Sequence, residues 1–230
     1  TDEGRGCPFG KRDDGTEALE AIYTMAHSGA KFNDKIFQNV AGMNGIGAKA
    51  TCLSSLYFKA SVVRDNKQAF AEWNKGVLTN YVEEYYSGPC KSGTCIQFIP
   101  DPEVYNLEPI KVDFDVICAR CKNLSYLTKG LTFDLMGPGN KHVTYCAKNG
   151  LLDLIKDNMS ETPLYAPIHI IGEDIEVVLT HGNSYGENIA SFVNGQNTRE
   201  GGTHLAALRE AVVKTLKEFF KKDYAPEDIR

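Results

Sequence analysis

The stretch GMNGIGAK, residues 42–49, decides how this chain is interpreted, because its three glycines run directly into a helix-forming sequence. Glycine lets the backbone approach a ligand closely, and the first N–H groups of a helix have no partners within it. The pattern therefore predicts an anion site where a helix begins near Gly45. A flexible glycine hinge is the simpler alternative. No GxxxxGK[ST] string occurs in the sequence, which excludes a P-loop.

A dinucleotide-binding site is a second interpretation of the same glycines. Residues 45–50 fit the pattern GxGxxA, and Asp65 follows the apolar pair Val62 and Val63, as a Rossmann fold requires. Residues 35–40 precede the motif, however, and their Lys, Gln and Asn make a poor buried parallel strand. This alternative predicts an oxidoreductase that binds a nicotinamide cofactor.

A second glycine motif, DEGRG at residues 2–6, places a carboxylate just before two glycines. Such a string lets the backbone pass close to a flat or phosphorylated ligand. A local Asp-Gly turn explains the same residues without any ligand.

Composition and charge limit the class of protein. The chain has 230 residues, 42% hydrophobic and 24% charged, which is typical of a globular protein. Its net charge of -5 is opposite in sign to that of a protein whose whole surface binds nucleic acid. The excess of acid lies in residues 151–230, which hold 8 Lys and Arg against 13 Asp and Glu. No signal peptide or membrane span is predicted, and seven cysteines indicate reduced thiols in a cytoplasmic protein. Because it starts at Thr1, we expect a fragment.

Hydrophobic periodicity predicts an α+β chain with two parts. A helix is expected after Asp14, which has the spacing of a capping box with Glu17, and a long helix is expected after Thr203 as its cap. Short strands are predicted at residues 61–63, 95–99, 131–135 and 142–145, and after Gly150 come a helix and strands at residues 175–180 and 188–193. A zinc site at Cys90, Cys95, Cys118 and Cys121 is an alternative to thiols on a helix.

Six segments, taken in order, resemble the ATPase half of type II DNA topoisomerases, the gyrase B and topoisomerase IV B subunits and their phage and eukaryotic counterparts. They are DEGRGCP, TEALEAIYTMAHSGAKF, GMNGIGAK, KSGTCIQFIPDPEVY, NLSYLTKGLTFDL and SFVNGQNTREGGTH. The NGIGAK wording is closer to phage or eukaryotic members than to bacterial gyrase. The resemblance implies a partial GHKL (Bergerat-type) ATP-binding α/β sandwich over residues 1–150. A ribosomal-S5-domain-2-like transducer domain would follow over residues 151–230.

The resemblance also implies an ATP site with two ends. At the adenine end, Asp2 would accept a hydrogen bond from the adenine amino group, Gly4 and Gly6 would let the base lie against the backbone, and the Thr94 hydroxyl would complete the pocket. The phosphate end and its lid would be formed by Lys31, Asn44, Gly45, Ile46, Gly47 and Lys49. The GGTH segment at residues 201–204 would have a structural role at the start of a transducer helix.

Several family features are expected outside this chain or differ within it. The general-base Glu and the magnesium-binding Asn would lie upstream of Thr1, so no catalytic residue is assigned here, and the lysine that reaches the γ-phosphate would follow Arg230. The chain alone is therefore expected to bind nucleotide weakly and to hydrolyse nothing measurable. Cys7 stands where an Ile is usual in the family. Gln38 and Ala41 stand where bacterial gyrases carry a Lys and a Gly, so the contacts of the lid are expected to differ.

The implied function is that of a type II DNA topoisomerase, which uses ATP and Mg²⁺ to close a dimeric gate and pass one DNA duplex through another. The implied partners are double-stranded DNA, held mainly by other domains, a second copy of the ATPase domain, and a DNA-cleaving A-type subunit or domain. No membrane partner is expected, and the location would be the cytoplasm, the nucleoid or a phage host's cytoplasm. A non-hydrolysing, nucleotide-dependent dimerisation module is the other alternative.

Overall fold

A computed structural model describes residues 1–26, 28, 45–89, 91–183 and 186–225. It divides into two compact units, Thr1–Lys111 and Val112–Arg230. The helices are α1 (Ala18–Thr24), α2 (Gly47–Leu53), α3 (Pro102–Tyr105), α4 (Phe114–Leu127), α5 (Leu151–Asn158) and α6 (Thr203–Phe220). The strands are β1 (Ser55–Arg64), β2 (Lys67–Asn74), β3 (Val77–Tyr85), β4 (Gly93–Pro100), β5 (Phe133–Met136), β6 (His142–Tyr145), β7 (Ile168–Ile171), β8 (Glu176–Leu179), β9 (Phe192–Val193) and β10 (Gln196–Asn197).

The first unit is built on a four-stranded antiparallel sheet in the order β3-β2-β1-β4. The two-residue turns between β1 and β2 and between β2 and β3 use residues with positive φ, at Asp65-Asn66 and Lys75-Gly76. Such turns match the right-handed twist of paired strands. They bring three consecutive strands together, and β4 then returns to lie beside β1.

Strand alternation places the core of this unit on one face of the sheet. Phe58 pairs with Trp73 across β1 and β2, Val62 pairs with Ala69, and all four side chains are buried. Leu19 and Tyr23, four residues apart on α1, and Cys52 of α2 cover this face. The rings of Tyr23, Phe58 and Trp73 contact one another at centroid distances of 5.1–5.5 Å.

The second unit has a smaller core in which Tyr126 of α4, Ala147 and Leu154 of α5 are buried together. The Tyr126 hydroxyl donates to Asp157 Oδ2 at 2.5 Å, and Lys122 forms an ion pair with the same carboxylate at 3.1 Å. In the described part of this unit, three two-stranded antiparallel sheets pair β5 with β6, β7 with β8 and β9 with β10. The 18-residue helix α6 follows, and none of its residues is buried.

The division by contacts falls between residues 111 and 112, because α4 and the β5-β6 hairpin lie in the same compact unit as α5. The domain boundary expected after residue 150 concerns the two family domains and stays a prediction.

The Rossmann alternative is wrong for this chain. Val62 and Val63 lie in β1, which is antiparallel to both of its neighbours, and Asp65 sits in the hairpin turn after it. A dinucleotide fold needs a parallel βαβ unit instead.

Helix starts differ from their predictions in two places. Asp14 accepts hydrogen bonds from the N–H and hydroxyl of Thr16 and does not cap α1, whose N-cap is Glu17. Gly202 is the N-cap of α6, so Thr203 is already its first helical residue. Short Asx and glycine turns outcompete side-chain capping at both positions. Among the helices in the described ranges, none has both the length and the apolar character needed to traverse a bilayer.

Candidate functional site

The Asp2 carboxylate is held at the edge of the sheet by backbone donors. The Asp2 N–H donates to the Thr94 carbonyl at 2.8 Å in an antiparallel bridge. In return, Asp2 Oδ1 accepts from the N–H groups of Gly4 at 2.8 Å and Thr94 at 3.3 Å. Within the described residues both bonds end on Oδ1, so Oδ2 is the oxygen that can accept a hydrogen bond from a ligand. The structure thus brings Asp2, Gly4 and Thr94 together.

The Thr94 side chain lies on the core face of the sheet, because Thr94 pairs with the buried Val62. Its Oγ1 donates to the sulfur of Cys7 at 3.8 Å, and the same sulfur lies 3.5 Å from the Tyr23 hydroxyl. Burial, followed by the hydrogen bond with Cys7, raises the pKa of Tyr23 far above its ordinary value. Its phenol is therefore always protonated at neutral pH.

Two glycines allow the N-terminal segment to lie this close to the sheet. Gly6 has φ +72°, and a Cβ there would lie 2.5 Å from the Val63 carbonyl oxygen. A Cβ on Gly93 would lie 2.3 Å from the Asp2 carbonyl oxygen. Real Cβ contacts are never that short, so both positions need glycine for the carboxylate to reach Thr94.

The expected phosphate end is described only in part. Lys31 and Asn44 lie outside the described residues. Gly45 has φ +58°, the exposed Ile46 is the N-cap of α2, and Gly47 is the first residue of that helix. The helix thus starts close to where the glycine motif predicts.

Lys49 is the unexpected member of this group, because its side chain is only 5% exposed. Its Nζ donates to the Gly45 carbonyl at 3.1 Å. Burial lowers the pKa of Lys49 below its ordinary value. A buried ammonium next to a glycine turn favours an anionic ligand, because its described partner is a neutral carbonyl.

The two ends border the same core, since Cys7 packs against the cluster that contains Cys52 of α2. A shallow cavity of about 120 Å³ lies beside Asp2, between Ser61, Phe70 and Cys95. It is on the outer face of the sheet, because these side chains alternate with the buried ones. A larger cavity of about 510 Å³ lies at the other end of the β1-β4 ladder, around Lys75 and Asp101. Neither cavity is lined by a residue of α2.

A metal centre of protein ligands is not found within the described ranges, which contain no group of three or more His, Cys, Asp and Glu side chains close together. Cys118 and Cys121 lie on α4, as the sequence pattern predicted, and burial raises the pKa of Cys121. Cys90 lies outside the described residues.

Sequence reasoning missed three features of this site: Gly93, the place of Tyr23 and the contacts of Cys7. Gly93 precedes Thr94 directly, so a close backbone approach was a detectable signal. Tyr23 lies on the apolar stripe of α1, and its periodicity predicts only a core residue.

Comparison with known proteins shows which family this chain resembles. Residues 141–228 match the family model described as DNA gyrase B. The chain is 35% identical to the DNA topoisomerase 4 B subunit of Borreliella burgdorferi over 230 residues, which are all of this chain and 36% of that protein. The chain is thus similar to gyrase B and topoisomerase IV B subunits. It is also 32% identical to the DNA gyrase B subunit of Treponema pallidum, over 96% of this chain and 36% of the relative.

Solved structures of the family share the fold. The 43K ATPase domain of Thermus thermophilus gyrase B, solved with an aminocoumarin, superposes with a TM-score of 0.78 at 28% identity, covering 96% of this chain and 58% of that one. The ATP-binding domain of Francisella tularensis topoisomerase IV, solved with a small-molecule inhibitor, superposes with a TM-score of 0.75 at 22% identity. The match covers 96% of this chain and 59% of that one. The predicted α+β fold of the family is confirmed. The chain spans about a third of the length of the curated relatives it matches.

Proposed function

We propose that this chain provides the adenine-binding end and part of the transducer of an ATP-dependent type II DNA topoisomerase. One observation carries the proposal: the N–H groups of Gly4 and Thr94 fix the Asp2 carboxylate through Oδ1, so that among the described residues Oδ2 can accept from a ligand. A carboxylate with an oxygen available to accept suits the exocyclic amino group of adenine, which has two donors. Similarity to solved structures supports this role, because the two structural relatives are named as ATPase or ATP-binding domains.

The residues at the phosphate end fit a polyphosphate. The Lys49 ammonium is buried with a backbone carbonyl as its partner, so an incoming phosphate would supply both charge and acceptors. Gly45 and Gly47 leave room for that approach, since no described residue lies within 4 Å of their Cβ positions. Binding would then replace the Gly45 carbonyl as the partner of Lys49.

Magnesium is the cofactor that the described residues do not account for. The ion prefers oxygen ligands, and the described part of the chain groups no three acidic, His or Cys side chains. The proposal therefore assigns no Mg²⁺ ligand and no catalytic step to these residues. Bound ATP would supply the phosphoanhydride bond whose hydrolysis resets the enzyme.

Nucleotide binding would act as an order-disorder switch that favours a closed dimer of ATPase domains. A ligand can shift this equilibrium only through contacts that differ between the two states. Contacts of the lid with the phosphates would be such contacts. The same proposal includes passage of one DNA duplex through another, an A-type partner subunit and a cytoplasmic location. The net negative charge of residues 151–230 suits a surface that DNA passes without binding tightly.

The test is the affinity of the chain for a non-hydrolysable ATP analogue, measured by isothermal titration calorimetry. Asp2→Asn replaces the charged acceptor by an amide of the same shape, and we expect a loss of tenfold or more, the value of one hydrogen bond to a charged group. Asp13→Asn, a change of the same kind at an exposed residue, should leave the affinity unchanged. Equal affinities for Asp2→Asn and the unmodified chain would refute the adenine assignment.

A further inference from the structure

The sulfur of Cys7 lies between two hydroxyl groups at the adenine end. Tyr23 Oη lies 3.5 Å from it on one side and Thr94 Oγ1 lies 3.8 Å from it on the other. Both distances are within the range of hydrogen bonds to sulfur. Cys7 itself is half-buried against the core cluster, so its position is fixed by packing.

The directions of these bonds follow from burial. Tyr23 is 4% exposed, and its hydroxyl meets Cys7 Sγ as its partner among the described residues. A buried hydroxyl must donate a hydrogen bond to some acceptor, and an O–H group is a much better donor than an S–H group. Tyr23 therefore donates to the sulfur. Thr94 also donates to it, so the Cys7 sulfur accepts two hydrogen bonds.

The second bond determines what Thr94 presents to a ligand. Because its proton points towards Cys7, the Thr94 hydroxyl can offer only its lone pairs to any further partner. The Asp2 carboxylate is an acceptor as well. Two neighbouring acceptors favour a ligand edge, or a bridging water, that donates hydrogen bonds, and they repel a ligand carbonyl.

We propose that Cys7 is a positioning residue for nucleotide specificity, which turns the Thr94 hydroxyl into an acceptor and so strengthens the preference for adenine over 6-oxo purines. The proposal rests on the proposed function, because it concerns the same pocket. It gives a role to a thiol whose sulfur accepts from two hydroxyl groups at once.

The experiment compares the affinities of ATP and inosine triphosphate, in which a carbonyl oxygen replaces the adenine amino group. In Cys7→Val the hydroxyl of Thr94 loses its acceptor and becomes able to donate to that carbonyl. We expect the ATP preference to fall about fivefold, the value of one neutral hydrogen bond, mainly through tighter binding of inosine triphosphate. Cys7→Ser keeps an acceptor and should preserve the preference. Cys146→Ser, at an exposed thiol, is the matched control.

A second variant separates specificity from folding. Cys7→Val also leaves the Tyr23 hydroxyl buried without a partner, which destabilises the chain. Cys7→Val with Tyr23→Phe removes that hydroxyl, so it should recover thermal stability while the ATP preference remains low. An unchanged ATP preference in the folded double variant overturns the role of Cys7. If Asp2→Asn still loses ATP affinity in that case, the proposed function stands, whereas full ATP affinity in Asp2→Asn refutes the function itself.

Discussion

Replacement of Gly93 by Ala tests the geometry that holds Asp2 in place. The backbone of Gly93 is that of an ordinary strand residue, so alanine is acceptable in conformation, but its Cβ would lie 2.3 Å from the Asp2 carbonyl oxygen. The Asp2 backbone must then move by about 1 Å to reach an ordinary van der Waals separation. That movement lengthens the 2.8 Å bond between the Asp2 N–H and the Thr94 carbonyl beyond hydrogen-bonding distance.

Two hydrogen bonds are lost when the N-terminal segment moves away from β4, the backbone bond and the one from Thr94 N–H to Asp2 Oδ1. At about 1 kcal/mol each, they lower the free energy of unfolding by about 2 kcal/mol, or a few degrees in Tm. The displaced carboxylate no longer faces adenine, so ATP affinity should fall by about tenfold or more.

Thermal unfolding and calorimetric titration with an ATP analogue measure both effects of Gly93→Ala. Gln97→Ala is the control, because it changes an exposed side chain on the same strand without crowding Asp2. Wild-type affinity in Gly93→Ala would show that the approach of Asp2 to Thr94 does not set the nucleotide site.

Three further predictions concern the core, the buried lysine and the second unit. Leu19→Ala leaves a cavity in the first core and should lower the free energy of unfolding by about 3 kcal/mol in urea, whereas the exposed Leu107→Ala should change it by less than about 0.5 kcal/mol. Lys49→Met should bind ATP at least tenfold more weakly. The free energy of unfolding of the unmodified chain should also rise relative to that of Lys49→Met as the pH rises through the lowered pKa of Lys49. The reason is that Lys49 holds its proton more tightly in the unfolded chain than in the folded one. A constant difference in urea stability between pH 7 and pH 10 would contradict this. Tyr126→Phe should lower the free energy of unfolding at pH 7 by about 1 kcal/mol, a value kept small because Asp157 is half exposed. Hydrogen bonds with Tyr126 and Lys122 hold the pKa of Asp157 below its ordinary value. The difference between Tyr126→Phe and the unmodified chain should therefore disappear as the pH falls through that pKa. A difference from wild type that persists at acid pH would argue against that bond.

The closeness of Asp2, Gly4 and Thr94 could be predicted from the sequence, because these residues lie in short strings that the family resemblance connects. The Asp2-Gly4-Gly6 motif and Thr94 are separated by 92 positions, yet the family resemblance placed them at one site, and the structure joins Asp2 to Thr94 directly. The reason for Gly93 could not be seen in the sequence, because it is a contact between two backbone segments. The nucleotide contacts assigned to all these residues stay predictions, including those of the lid residues Lys31 and Asn44.

Strand predictions succeeded where turns bounded apolar runs and failed where one face is polar. β6 agrees with its predicted range, His142–Tyr145. β2 and β3 were not predicted, although Ala69, Ala71 and Trp73 alternate with polar or half-buried neighbours. The Asp65-Asn66 turn lies between the alternating residues of β1 and those of β2, and a turn in that position is a signal for a β-hairpin. The strand predicted at residues 188–193 is reduced to the two-residue β9, which pairs with β10.

The contrast between β1 and α6 has a consequence for local opening. The amides of β1 lie between two strands, above side chains that are fully buried, so their hydrogen exchange should require the whole first unit to unfold. The amides of α6 belong to a helix with no buried residue, so solvent deuterium should reach them through fraying at a small fraction of that free energy. The helix that begins with the GGTH segment is therefore the region best suited to change its packing when a neighbour binds.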